Sequence, residues 1–384
     1  MTVPAYFNDA QRQATKDAAR VAGLDVLRIV NEPTAAALAY GAHRSSPSGR
    51  RYLAVVDLGG GTFDVSIMSV VNGVFEVLAT SGDMVLGGDD WDSYLQHHWL
   101  RQIHQEHGVD ASADHVAKGR LLEAAEQAKR QLSASQAAHV SLPHLISTPN
   151  GTLDFDTTIT RSEFEQITGA LVHKLEKPCR DAVESAGIPI ESLNDVLLVG
   201  GMTRAPMVER KIFDLFGCKP SKGANPDEIV ALGAAAHAAI LEGTRDDATL
   251  LDITPLSIGI RAGDARVVQM LPRHSLLPAR AIKLFTTTHD NQREFRIELY
   301  QGDSTGASKR LGVVVLEDLP ARRAGAVRVE VTITIDTDSI IHVEAVEKSS
   351  GHRSTAALRP SGGLSQTDLD RLVARHRSFR GHLA

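Results

Sequence analysis

Asp57-Leu58-Gly59-Gly60-Gly61-Thr62-Phe63-Asp64 is the stretch whose reading decides the fold. The apolar run Tyr52 to Val56 enters it and the alternating run Val65 to Val70 leaves it, which predicts strand, glycine turn and antiparallel strand. Glycines lack a Cβ, so three in a row free the backbone for positive φ and let its N–H groups approach a phosphate chain. Asp57 ends the first strand with the carboxylate that a hydrated divalent cation favours, and Thr62 adds a hydroxyl beside it. Alone, such a turn is an ordinary glycine-rich hairpin. The rest of the chain decides between the two readings.

Upstream, Thr2-Val3-Pro4-Ala5 reads as the end of a strand, and Asn8 caps a helix over Asp9 to Ala22 closed by Gly23. Val26 to Val30 reads as a short strand. Asn31-Glu32-Pro33-Thr34 opens an Ala-rich helix ending at Gly41, and Ser45 to Gly49 is a polar loop. Downstream, Leu86-Gly87-Gly88-Asp89-Asp90 is a second glycine turn, followed by helices from about Trp91 to His107 and Ala117 to Leu132. Strand-like segments cover Ala138 to Ile146 and Gly151 to Ile159, and one long helix is expected from Thr160 to about Ala186. Asp195 to Val199 is a buried-type strand ending in Gly200-Gly201, with helices near Ala205 to Phe216 and Asp227 to Leu241.

This alternation indicates an α/β domain. After Leu241 the texture changes to strands, namely Glu294 to Gln301, Gly312 to Leu316, Val327 to Ile335 and Ile340 to Glu347, and helical period returns only after Leu364. A boundary is expected at residues 242–253. With 384 residues the chain has room for two or three domains, and with aromatics at 4% its cores are expected to rest on Val, Ile, Leu and Ala. A net charge of −6 argues against a general nucleic-acid binder, and no apolar run is long enough to span a bilayer. The first residues lack the pattern of a signal peptide and the two cysteines, Cys179 and Cys218, show no pairing or zinc-ligand spacing, so a cytoplasmic location is expected.

The glycine pairs after two strands suit a nucleotide cleft in an open α/β sheet. Glu126, Lys129, Arg130 and Ser133 fall at i, i+3, i+4 and i+7 on one helix face, able to grip a ribose and base but equally at home on a solvated surface. Glu32 either complements a helix dipole or orients a metal-bound or nucleophilic water. His97, His98, His104 and His107 lack the carboxylate or Cys partners of a metal site, and Asn150-Gly151-Thr152 reads as a turn.

Several long motifs together resemble the seventy-kilodalton heat-shock protein family, the DnaK-type chaperones. They are Val3 to Ala18, Asn31-Glu32-Pro33-Thr34-Ala35-Ala36-Ala37, the Asp57 to Asp64 turn, Val199 to Arg204, Asn225-Pro226-Asp227-Glu228, and Leu250-Leu251-Asp252-Ile253-Thr254-Pro255-Leu256-Ser257. The resemblance implies a partial actin-like α/β nucleotide-binding domain over residues 1–241, an interdomain linker over 242–253, an all-β peptide-binding sandwich over 254–363, and the start of a helical lid over 364–384. It implies ATP or ADP with Mg2+ as cofactors, and exposed apolar segments of unfolded proteins as clients. A J-domain co-chaperone and a nucleotide-exchange factor are the implied partners, with no nucleic acid and no membrane.

By position, the resemblance implies that Gly59, Gly60, Gly61 and Thr62 meet phosphates. Asp57 and Asp64 place the metal and its waters, and Glu32 positions the attacking water. Glu126, Lys129, Arg130 and Ser133 hold adenosine, with Gly200, Gly201, Met202, Thr203, Arg204 and Asp227 opposite. Pro4 and Arg12 relay nucleotide state toward the linker at Leu250 and Leu251, while Arg28, Asn31 and Asp252 receive the J-domain. Ile260, Phe285, Phe295, Ile297 and Val329 cradle the peptide.

The departures from the family pattern carry expectations of their own. The portion bearing the family's other phosphate loop and a hydrolytic lysine has no counterpart here, so weak nucleotide binding and poor hydrolysis are expected, because phosphoryl transfer depends on positioning. Phe295 replaces a small aliphatic residue in the central pocket, Gly263 and Thr288 replace the apolar arch over the peptide, and Thr249 interrupts the linker's leucine run. Most of the lid is absent, which predicts fast peptide exchange. The alternative is a non-hydrolysing remnant that binds clients or co-chaperones only. A sugar kinase or actin relative shares the glycine turns but leaves the linker and β region unexplained.

Overall fold

Strands enter the fold wherever apolar runs pair, and the computed structural model describes them over residues 1–42, 49–148, 151–221, 225–262, 266–302, 308–351, 353–357 and 366–381. Most of the loop expected from Ser45, Asn150 of the expected turn, Gly263 of the arch, and Leu364 lie outside the described residues. In chain order the first elements are β1 (Thr2–Val3), α1 (Asp9–Val21), β2 (Val30–Asn31), α2 (Glu32–Ala42), β3 (Arg51–Leu58), β4 (Phe63–Val71) and β5 (Val74–Asp83). Then come α3 (Gly88–His107), α4 (His115–Ala134), β6 (Ala137–Thr148), β7 (Gly151–Thr160), α5 (Arg161–His173), α6 (Glu176–Ala186), β8 (Leu193–Val199), α7 (Pro206–Phe216) and α8 (Ile229–Leu241). The last are β9 (Thr249–Leu251), β10 (Ile258–Ala262), β11 (Arg266–Leu271), β12 (Ala279–Thr286), β13 (Phe295–Gln301), β14 (Lys309–Leu316), β15 (Arg328–Ile335), β16 (Ile341–Glu347), β17 (Arg353–Ala357) and α9 (Gln366–Gly381). The chain is thus a mixed α/β protein that divides into two compact units.

One unit comprises residues 36–72 and 81–233. At its centre β3 runs antiparallel to β4, closing at Leu58 opposite Phe63, and parallel to β8, with Asp57 opposite Val199. Val55, Val56, Val65 and Ile67 are fully buried whichever face they take, which is why these strands read as continuous apolar runs. Two tryptophans, Trp91 and Trp99 of α3, are among the largest buried side chains, so the core does not rest on aliphatic residues alone. Trp99 lies 5.7 Å from the ring of Phe155 on β7. The long helix expected from Thr160 to Ala186 is two helices, α5 and α6, broken at Lys174 and Leu175. Pro178 explains the break, since its ring lacks an N–H and would press on the carbonyl of Lys174 in a continuous helix.

The other unit comprises residues 1–35, 73–80 and 234–384. Two four-stranded antiparallel sheets, in the orders β11-β10-β13-β14 and β12-β15-β16-β17, share one apolar cluster that includes Ile260, Ile297, Leu299, Val329, Val331 and Val343. Strands β10, β11, β12 and β17 add to the four segments legible in the sequence. The short strand expected over Val26 to Val30 shrinks to β2, which pairs in parallel with β1. Strand β9 pairs in parallel with β5, Thr249 opposite Val74 and Leu251 opposite Glu76. Gly73 makes this approach possible, for a Cβ there would lie 2.4 Å from the Asp247 carbonyl oxygen.

Candidate functional site

Three glycine turns converge at the ends of β3 and β8. Gly59 donates its N–H to the Thr62 carbonyl at 3.1 Å, closing the turn of the central stretch. The start of α3 braces it from beneath, with Gly88 N–H on the Gly59 carbonyl at 2.9 Å and Asp89 N–H on the Gly60 carbonyl at 2.8 Å. A Cβ at Gly87 would sit 2.3 Å from the Gly60 carbonyl oxygen, and one at Gly200 would sit 2.4 Å from the Leu58 carbonyl oxygen.

None of Gly59, Gly60 or Gly61 takes a positive φ, contrary to the expectation that this freedom is what the turn requires. A Cβ at Gly61 would meet nothing within 4 Å, and one at Gly60 would come only to 3.4 Å from Asp89 Oδ1. The protein's own packing therefore demands glycine at 87 and 200, the latter with φ +82°, but not at 59 to 61. The pair Gly87-Gly88 was legible as a turn; its role as the support of the other turn was not.

Asp57 and Asp64 stand directly opposite one another across β3 and β4, and both are buried. Burial pushes the Asp57 carboxyl up to about 6, and no cationic side chain among the described residues offsets it. Thr62 is half-buried beside them.

Glu126, Lys129, Arg130 and Ser133 all lie on α4, as their spacing predicts, but they do different work. Lys129 is largely buried, and its Nζ donates to the Gly88 carbonyl at 2.9 Å and to Asp92 Oδ2 at 2.6 Å. It therefore ties α4 to the start of α3. Burial raises the carboxyl of Asp92 against the lowering by Lys129. Arg130 pairs with Glu126 at 2.6 Å on the surface, and Ser133 Oγ donates back to the Lys129 carbonyl. After β8, Gly201 to Arg204 form a single tight turn in which Met202 and Thr203 are buried. Arg204 donates to Asp227 Oδ2 at 2.7 Å and to Asn225 Oδ1 at 2.8 Å. Glu32 opens α2 and belongs to the other unit.

Within that other unit the expected relay and linker residues form one network. Arg12 is buried, and donates to the Ala5 and Phe7 carbonyls and to Asn31 Oδ1 at 2.6 Å. Asn31 Nδ2 donates to Asp252 Oδ2 at 2.7 Å, and Thr34 Oγ1 adds a bond to the same oxygen at 3.2 Å. Pro4 contributes its carbonyl to a turn with Phe7. Arg28 is not part of this network, since its guanidinium faces Asp338 at 3.6 Å. Asp338 also pairs with Lys16 at 3.0 Å and accepts the Ile29 N–H, while Asp9 accepts the Ile341 N–H. Thr34, Asp9, Lys16 and Asp338 carried no local signal, their partners lying hundreds of residues away. Asp252→Ala removes two side-chain bonds next to β9, and about tenfold faster hydrogen exchange is expected at Leu250 and Leu251. Unchanged exchange would mean that pairing with β5 alone holds the strand.

Of the five expected cradle residues, Ile260, Ile297 and Val329 are closed inside the shared core of the two sheets. Only Phe285 and Phe295 line an open groove of about 1280 Å³, where their rings pack at 6.2 Å. Phe295 is itself 8% exposed, so its ring fills space rather than offering it. Thr288 lines the same groove and its N–H donates to Gln292.

The family model for Hsp70 protein matches residues 1–382. The chain belongs to the Hsp70 family. It is 44% identical over 375 residues to the heat shock 70 kDa protein, mitochondrial, of Pisum sativum, an alignment covering 97% of this chain and 55% of that protein. The chain therefore spans about half the length of the curated relative it matches. Among the described residues no helix is long and apolar enough to cross a membrane.

Proposed function

We propose that the chain is a DnaK-type chaperone segment that binds ATP or ADP with Mg2+ and holds extended apolar peptides. The observation that carries this reading is the glycine turn at 59 to 61, where internal packing leaves glycine unexplained, set against two opposed buried carboxylates. Backbone that must lie bare toward solvent suits contact with phosphates. Buried Asp57, with no cationic side chain among the described residues to offset it, suits a hydrated divalent cation. In this reading Gly59, Gly60, Gly61 and Thr62 hold phosphates, and Asp57 and Asp64 order the metal's waters. Glu126, Lys129, Arg130 and Ser133 take the adenosine with Gly200, Gly201, Met202, Thr203, Arg204 and Asp227, Lys129 also tying α4 to the start of α3. Glu32 orients the attacking water where hydrolysis occurs. The test is thermal unfolding, in which ADP with Mg2+ should raise the midpoint and Mg2+ alone should raise it less. No rise with ADP would overturn the nucleotide reading.

The domain reading is a partial actin-like nucleotide-binding domain over 1–241, a linker over 242–253, a β-sandwich over 254–363 and the beginning of a lid over 364–384. Pro4 and Arg12 relay nucleotide state toward Leu250 and Leu251 of the linker, and a J-domain co-chaperone is received at Arg28, Asn31 and Asp252. A nucleotide-exchange factor is the other implied partner. Two unpaired cysteines, one of them buried, suit a reducing compartment. The cytosol is proposed, with the mitochondrial name of the pea relative as its rival, and fractionation of the tagged full-length protein separates them.

In the groove, Phe295→Val trades about 2 kcal/mol of stability for an opened pocket. The affinity for a Leu-rich peptide should rise several-fold. Unchanged affinity would mean that the peptide lies elsewhere.

A further inference from the structure

The groove beside Phe285 and Phe295 has a charged rim whose charges do not cancel. Arg261, Arg293, Arg296, Glu294 and Glu298 all line it. Arg261 and Glu298 neutralise one another: the guanidinium lies 3.7 Å from the carboxylate and stacks over the Tyr300 ring at 4.5 Å. Glu298 also faces Arg310 and accepts the Tyr300 hydroxyl. Arg293 and Arg296 are exposed and make no ion pair among the described residues. Arg293 donates to the Leu319 carbonyl at 3.3 Å, which anchors the side chain and leaves its charge uncompensated. Glu294 is the remaining unpaired carboxylate among the described residues of the lining, so the surplus is positive.

Strand β13 explains how aromatic and cationic groups come to share one groove. Successive side chains point to opposite faces, so Phe295 and Ile297 enter the core while Arg296 and Glu298 stand on the other side. The groove passes the first residues of that strand and meets both sets.

We infer that this groove selects extended segments with a small aliphatic anchor flanked by acidic side chains, the anchor resting on Phe285 and Phe295 and the acids meeting Arg293 and Arg296. The inference rests on the peptide-binding reading above and adds to it the class of segment held. A large anchor is disfavoured because the Phe295 ring already occupies the space, and basic flanks are disfavoured by the two uncompensated guanidinium groups.

Fluorescence anisotropy with the 384-residue chain tests this, using two labelled peptides that share a Val-Ala-Val centre and carry either Glu or Lys on both flanks. At low salt the Glu-flanked peptide should bind about fivefold more tightly, and the preference should fade at high salt. Arg296→Gln should weaken the preference, and Arg293→Glu with Arg296→Glu should reverse it, with thermal midpoints held near wild type because both positions are exposed. Equal or tighter binding of the Lys-flanked peptide overturns the inference, as does a preference that survives the double variant. If neither peptide binds while ADP does, the peptide-binding reading falls and takes the charge reading with it.

Discussion

Replacing Asp57 by Asn should stabilise the free protein at neutral pH and leave it unchanged near pH 3. The carboxyl is held up at about 6 by burial, against 3.8 for an ordinary Asp. A raised folded value means the native state binds the proton more tightly than the unfolded chain does. Well below the unfolded value of 3.8, near pH 3, both states are protonated and Asp57 has no effect on stability. As pH rises from 3 to 6 the unfolded chain ionises first, so stability falls, and above 6 the full penalty of a buried charge remains. The displacement corresponds to about 3 kcal/mol, an order-of-magnitude figure. Denaturation curves of wild type and Asp57→Asn should therefore coincide near pH 3 and diverge up to pH 7, the variant being the more stable. Parallel curves across this range would show that Asp57 ionises without penalty. The same substitution should abolish the benefit of Mg2+, so the variant gains stability and loses ligand together, the pattern of a functional group held at a cost to the fold.

Gly200→Ala should have the opposite signature, losing stability and ligand at once. Its φ of +82° belongs to a region that side chains rarely adopt, and the new Cβ would lie 2.4 Å from the Leu58 carbonyl and 2.8 Å from Asp57 Oδ1. Strain in the left-handed region costs about 1–2 kcal/mol, and overpacking against fixed backbone about 1–3 more. A loss of about 3 kcal/mol is expected in urea titration, together with displacement of Asp57. A loss below about 1 kcal/mol would mean that β8 and β3 separate easily at this end, and the convergence of turns would not be rigid.

The sequence made the central hairpin legible because β3 and β4 are buried on both faces and bounded by three glycines. The family motifs made the candidate residues legible, yet two physical roles in the fold have no local signal. Packing requires glycine at 87 and 200, a need that was not legible because close approach of backbones leaves no trace in local sequence. Lys129 also ties α4 to α3, a role without local signal because its partner Gly88 lies 41 residues away. Pro178 breaks the helix expected over Thr160 to Ala186 even though the helical period runs on through it. Strands β10, β11 and β12 escaped because they are short, or carry charged residues on exposed faces that blur the alternation. The bond from Ile341 to Asp9, spanning 332 residues, is beyond any local pattern.

The central claim is that the turn at 59 to 61 is bare for a ligand's sake and not for the fold's. Calorimetric titration of ADP in the presence of Mg2+, comparing wild type with Gly61→Val, tests it most directly. A Cβ at Gly61 meets nothing within 4 Å, so the first added atom has room, and the variant's thermal midpoint is measured in parallel to show that it folds. Its heat of ADP binding should disappear while wild type binds. Equal binding by both proteins would contradict the account.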